Sequence, residues 1–328
     1  MKLSTPQRGT TTATTAHVAS GTGSAHAKVI LLGEHAVLHG SPALAVPVPQ
    51  LTVTALATRF AEPGVTSFLM EGQHGTTPCL SVGLQRIATA LTDGDDGRRI
   101  EVVLRSGIPA GRGLGSSAAC ARAAVLALAD LLGHELDQRE VYELVQIAEN
   151  VTHGRASGVD AITTGADSPL LFDNGAAEPV RIGFDGLFVV ADSGVAGQTK
   201  DAVRLVRNAF EVLPGERERF VGTVSALVRS AVWELAEGTA TGFGKCMTEC
   251  HSALRDLGVS TSLIDGMADA AVSAGALGAK ISGGGLGGCI VTLVDRPEVA
   301  WSVSRALCDA GAVRTWTVPV GRFARDDR

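Results

Sequence analysis

Pro109-Ala110-Gly111-Arg112-Gly113-Leu114-Gly115-Ser116-Ser117 lies between a strand-like run, Ile100 to Leu104, and a long Ala/Leu-rich run, Ala118 to Leu132. Strand, glycine-rich turn and helix start, in that order, make a cradle for an anion. Three glycines let the backbone turn tightly and bring its N–H groups close to a bound charge. The helix behind adds unpaired N–H groups and the positive end of its dipole. Ser116 and Ser117 fall where hydroxyls cap a helix or reach a metal held by phosphates. A plain glycine turn with a serine cap would look the same in isolation. The rest of the chain has to decide.

The spacing excludes two common phosphate loops. A Walker A loop needs Lys and then Ser or Thr after its last glycine, whereas Gly115 is followed by Ser116 and Ser117. A dinucleotide fingerprint needs G-x-G-x-x-G, which Gly111, Gly113 and Gly115 do not satisfy. A charge-balancing lysine and an acidic metal ligand must therefore come from elsewhere.

With 328 residues the chain exceeds the usual single domain, so two domains are expected, divided near Gly183. Its 45% hydrophobic and 19% charged residues allow a large core. A net charge of −6 and the lack of a basic stripe argue against nucleic acid as a partner. The six scattered cysteines suggest no disulfide framework, which points to a reducing cytoplasm. Cys246, Cys250 and His251 hint at a metal cluster, but Cys246 and Cys250 read better as small buried residues on one helix face. Residues 1–24, mostly Thr, Ser, Gly and Ala, read as a flexible tail without a signal-peptide core. No run is convincing as a membrane span; Ala118 to Leu132 comes nearest, interrupted by Arg122 and Asp130.

Along the chain, Ala25 to Leu32 reads as a buried strand ending in Gly33-Glu34-His35, and Leu51 to Ala57 as another. Ser81 to Leu91 has helical spacing, and Asp93 to Gly97 is a charged turn. Asp137 caps a helix with Glu140 in the capping-box position, and that helix delivers Glu149 at its end. A polar turn, His153 to Asp160, follows. Strands are expected at Leu170 to Asp173, Gly186 to Ala191 and Cys289 to Val294, the last just after Ser282-Gly283-Gly284-Gly285-Leu286-Gly287-Gly288. Between them lie helices broken at Pro214-Gly215, Gly238 to Gly244 and Gly258.

Three segments then stand together: Lys28 with Gly33-Glu34-His35, the loop Gly111 to Ser117, and Ser282 to Gly288. Their layout resembles the GHMP kinase superfamily of ATP-dependent small-molecule phosphotransferases, over most of the chain. The stretch Ala27 to Gly40 is similar to the branch of that superfamily that phosphorylates mevalonate. Galactokinases follow their Gly-Glu-His with Thr-Asp, where this chain has Ala36-Val37. The turn from His153 to Asp160 is similar to the one that holds the catalytic Asp in that branch. It departs at Ala156, where many members have Pro; a rigid φ is lost, while Ser157, Gly158 and Asp160 stay in register.

The resemblance implies an α+β fold, with an N-terminal α/β domain (25–183) carrying the phosphate loop and a C-terminal ferredoxin-like domain (184–328). It implies ATP-dependent phosphorylation of the primary hydroxyl of mevalonate, with Mg²⁺ as cofactor. Such a transfer needs a phosphate cradle, a cation, Mg²⁺ and a base for the hydroxyl proton. By resemblance Asp160 is the base and Lys28 the cation beside it. Ser106, Gly111, Arg112, Gly113, Leu114, Gly115, Ser116 and Ser117 address ATP, and Ser117 and Glu149 bind Mg²⁺. Lys28, Glu34, His35, Asp160 and, more loosely, Thr199 line the substrate side. Mevalonate and ATP are the expected partners, with no nucleic acid or membrane; a homodimer is one open option. Two alternatives remain: a sibling kinase acting on phosphomevalonate or a sugar, and a non-catalytic protein that kept the ATP fold. The joint presence of Lys28, Ser117, Glu149 and Asp160 argues against the second, since a pure binder need not keep a base.

Overall fold

The apolar run at 25–32 is the second half of a longer strand, β1 (His17–Leu32), paired antiparallel with β2 (Ala43–Pro63). This computed structural model describes residues 17–71, 78–93, 96–154 and 156–326. Residues 1–16 of the expected tail, Gly94 and Asp95 of the charged turn, and Arg155 of the polar turn lie outside the described residues. The tail expected over 1–24 is corrected for His17 to Ser24, which are strand. The reason lies in what covers them. A Cβ on Gly21 would fall 2.2 Å from the backbone nitrogen of Leu131, and one on Gly23 2.2 Å from the carbonyl oxygen of Ala123. Small residues let a helix rest on the strand backbone, and they carry no apolar signal.

After β3 (Ser67–Glu71), α1 (Pro78–Leu91) and β4 (Arg98–Ser106) comes that covering helix, α2 (Ser116–Leu132). Its alanines are buried against β1 and β2, which explains the Ala-rich run without a membrane. No helix among the described residues is long and apolar enough to cross one. α3 (Gln138–His153) starts at the capping box of Asp137 and Glu140 and packs beside α1 and α2. The short α4 (Val159–Thr163), β5 (Leu170–Asp173) and β6 (Ala176–Pro179) complete the first half. Its sheet runs β3-β4-β2-β5-β6 with β1 also on β2; β3 and β4 pair in parallel and the other described pairs are antiparallel.

The second half runs β7 (Gly186–Asp192), α5 (Thr199–Val212), α6 (Glu216–Glu237), α7 (Ala240–Asp256), α8 (Ser262–Ser273), β8 (Gly278–Ser282), β9 (Cys289–Val294), α9 (Pro297–Asp309), β10 (Arg314–Val320) and α10 (Phe323–Asp326). The antiparallel order β10-β7-β9-β8 and the sequence of strands and helices around it make a ferredoxin-like sheet, elaborated between β7 and β8. Gly242 and Gly244 lie inside α7 and do not break it. A Cβ on Gly244 would sit 2.3 Å from the carbonyl oxygen of Leu277, so this glycine serves close helix-to-strand contact. Cys246 and Cys250 are buried in the same helix, and His251 pairs with Asp265 at 3.2 Å. The two sheets meet where Ser282 Oγ accepts from the Ile30 amide at 3.0 Å and donates to the Ile30 carbonyl at 3.1 Å.

Candidate active site

A cleft of about 330 Å³ opens at that junction. The glycine turn forms one wall, with Gly111, Gly113 and Gly115 all at positive φ. Gly115 precedes α2 as its N-cap and offers no side-chain cap, so the first-turn amides face outward as at any helix start. Gly113 touches the second half directly: a Cβ there would lie 2.7 Å from the Ser282 carbonyl oxygen. Gly115 needs its bareness for another reason, because a Cβ would come 3.0 Å from Lys28 Cε.

Lys28 reaches the cleft from β1 with only 1% of its side chain exposed. Its Nζ lies 2.8 Å from Asp160 Oδ1 and donates to the Gly113 carbonyl at 3.1 Å. Asp160 stands in the first turn of α4, behind Gly158 at φ +96. Ser117 Oγ donates to Glu149 Oε1 at 2.7 Å. Glu149 is buried, not a solvated helix end, and its second oxygen lies 3.7 Å from His153 Nε2. Burial first, and then the Asp160 charge, push the Glu149 carboxyl up to about 7. Burial likewise depresses His153, against the pull of Asp160.

On the other side, His35 takes φ +59 and its Nε2 bonds the Gly284 carbonyl at 2.8 Å. Burial lowers its imidazole to about 4, so the ring is neutral near pH 7. Glu34 is buried beside it and paired with Lys280. Thr199, at the start of α5, and Ser106, at the end of β4, also line the cleft. Ser106 Oγ is engaged with the backbone of Ile108.

The structure thus brings Lys28, Glu34, His35, Ser106, Gly111, Gly113, Gly115, Ser116, Ser117, Glu149, Asp160 and Thr199 to one cleft. Two residues of the turn expected to address ATP, Arg112 and Leu114, direct their side chains away from the cleft. Arg112 turns to the second half, with Nε 2.8 Å from Asp192 Oδ1 and Nη2 donating to the Gly194 carbonyl. A nearly buried carboxylate claims the guanidinium more strongly than an open cleft can. Leu114 is buried in the core, and its carbonyl accepts from the Lys28 amide at 3.1 Å. Sequence reading missed Lys280. Its signal was a charge between Ala279 and Ile281 in an apolar strand, a position that demands a buried partner.

Family models match both halves: "GHMP kinases N terminal domain" over residues 84–166 and "GHMP kinases C terminal" over 231–313. The chain is 34% identical over 312 residues to a mevalonate kinase of Thermococcus gammatolerans, covering 88% of this chain and 92% of that one. Its fold resembles the L. major mevalonate kinase crystallised with R-mevalonate, with a TM-score of 0.78, 23% identity, and 94% and 97% of the two chains covered. It also resembles the phosphomevalonate kinase of Streptococcus pneumoniae, with a TM-score of 0.74, 16% identity, and 92% and 100% covered. The fold is therefore shared across substrates, and the sequence match to mevalonate kinases is the more selective finding.

Proposed function

The chain belongs to the mevalonate kinase family of the GHMP kinases, and on that footing we propose that it transfers the terminal phosphoryl group of ATP to the primary hydroxyl of (R)-mevalonate, giving 5-phosphomevalonate on the route to isoprenoids. The observation that carries the reading is the Lys28–Asp160 pair, 2.8 Å apart, set beside the glycine turn.

Asp160 accepts the hydroxyl proton as the substrate oxygen attacks the terminal phosphorus and the bond to the bridging oxygen breaks, releasing ADP; the proton resides on the Asp160 carboxyl until solvent removes it. Lys28, fixed between Asp160 and the Gly113 carbonyl, orients the Asp160 carboxylate and offsets charge on the transferring group. Backbone amides of the glycine turn and the first turn of α2 hold phosphate oxygens. Ser117 and Glu149 fit a magnesium ion: a hydroxyl and a carboxylate are hard oxygen donors, and the Glu149 carboxyl is buried beside the Asp160 charge. When bound, that ion neutralises phosphate charge and orients the triphosphate. Glu34, neutral His35 and Thr199 bound the substrate side.

Mevalonate and ATP are the partners this reading requires; neither nucleic acid nor a membrane has a part in it. We assign the reaction to the cytoplasm, supported by six free cysteine thiols. An ADP-release assay over mevalonate, phosphomevalonate and galactose tests the proposal. Turnover with mevalonate alone is expected. Turnover of another alcohol and none of mevalonate overturns it.

A further inference from the structure

Lys280 stands in the middle of β8 with none of its side chain exposed. A buried ammonium needs an acceptor for each of its N–H groups. Its Nζ has three: Glu34 Oε1, the Ile281 carbonyl and, at 3.5 Å, the Ile30 carbonyl. Glu34 is just as deeply buried, yet its other oxygen, Oε2, has no hydrogen-bond partner among the described residues. The donors of this pair are spent and one acceptor is free.

The corner that carries Glu34 is fixed on both sides. Gly33 at φ +107 and His35 at φ +59 set its backbone, His35 is tied to Gly284, and Ser282 clasps Ile30. Glu34 lines the same cleft as Lys28 and Asp160. Burial pushes its carboxyl up, and the Lys280 charge opposes that shift. A buried oxygen without a donor is costly unless a ligand supplies one.

We infer that Lys280 is a positioning residue: it holds Glu34 so that Oε2 accepts a hydrogen bond from a second hydroxyl of the substrate, the one that is not phosphorylated. This rests on the proposed function, under which that group is the tertiary hydroxyl of mevalonate. The cleft then selects a diol over a simple alcohol, because a site built around a hydroxyl rejects the analogue that lacks it.

The test compares kcat/KM for mevalonate and for 5-hydroxy-3-methylpentanoate, which lacks only the tertiary hydroxyl. The wild type should prefer mevalonate by roughly 100-fold or more. Lys280→Met should cut that preference at least about tenfold while leaving KM for ATP nearly unchanged. A merely structural lysine would lower Tm and leave the ratio alone. Should Lys280→Met fail to fold, Glu34→Met/Lys280→Met removes both charges at similar volume, a change that buried pairs often tolerate. Its preference should fall close to one. A wild-type ratio near one, or a ratio unchanged in the folded variant, overturns the inference. Absence of any mevalonate turnover by the wild type overturns the proposed function itself and the inference with it.

Discussion

The hydroxyl of Ser117, in the first turn of α2, donates to Glu149 Oε1 at 2.7 Å, near the end of α3. Two helices thus present two hard oxygens side by side at the cleft. If they hold magnesium, Ser117→Ala and Glu149→Gln should each raise the Mg²⁺ concentration needed for half-maximal rate at fixed ATP. The check is a magnesium titration of initial rate. Wild-type dependence in both variants would make the pair a structural clasp.

The same carboxyl makes the free protein pH-sensitive. Burial first, and then Asp160, raise Glu149 to about 7, from an ordinary value of 4.5. A raised carboxyl favours the folded state when protonated. Its stabilising contribution is therefore complete below about pH 4.5 and is lost as pH rises through about 7. At about 1.4 kcal/mol per unit the loss approaches ~3 kcal/mol by pH 8. Glu149→Gln, neutral throughout, should be more stable than wild type by up to that amount at pH 8 without magnesium. At pH 4, below the ordinary value of 4.5, the advantage should nearly vanish. Urea midpoints at both pH values decide; an equal difference at both would remove Glu149 as the titrating group.

The strand–turn–helix around Gly111 to Ser117, the capping box at Asp137 and the ends of the cleft were legible because each is local. Glycine spacing, an Asp three residues before a Glu, and an apolar run leave their mark within a dozen positions. What stayed hidden depends on distant partners. His17 to Ser24 hides a strand because its small residues answer to α2, about a hundred positions away. Gly244 reads as a break until β8 lies against it. Lys280 is a plain lysine until Glu34, 246 positions earlier, closes on it.

Arg112 falls in the same class, and its partner gives a prediction that separates structure from ATP binding. Its guanidinium sits on Asp192, whose side chain is 7% exposed. Arg112→Met should leave that carboxylate uncompensated and cost roughly 3 kcal/mol. KM for ATP should shift far less. Denaturant midpoint beside KM makes the comparison, and a tenfold rise in KM with unchanged stability would return Arg112 to the nucleotide.

Lys28 of β1 and Asp160 of α4, 132 positions apart in the chain, meet at 2.8 Å, with the lysine almost wholly enclosed. An Asp that served only to anchor this lysine would lose stability on change to Asn and keep its turnover. A general base does the reverse, because Asn keeps the size and can still accept a hydrogen bond but cannot take the proton. General acid–base catalysis contributes on the order of 10²–10⁴-fold, so kcat of Asp160→Asn should fall by about that factor. Affinity for ATP and mevalonate should change far less, since the lost interaction belongs to the transition state. Some stability will go too, because Lys28 is left without its counter-charge. Lys28→Met should lower kcat in the same way if both residues act on one step, and the double variant should then be little worse than either single one. The measurement is kcat beside ATP affinity and Tm for the three proteins. A folded Asp160→Asn variant with near-normal kcat would take Asp160 out of the mechanism and leave the pair a structural bond.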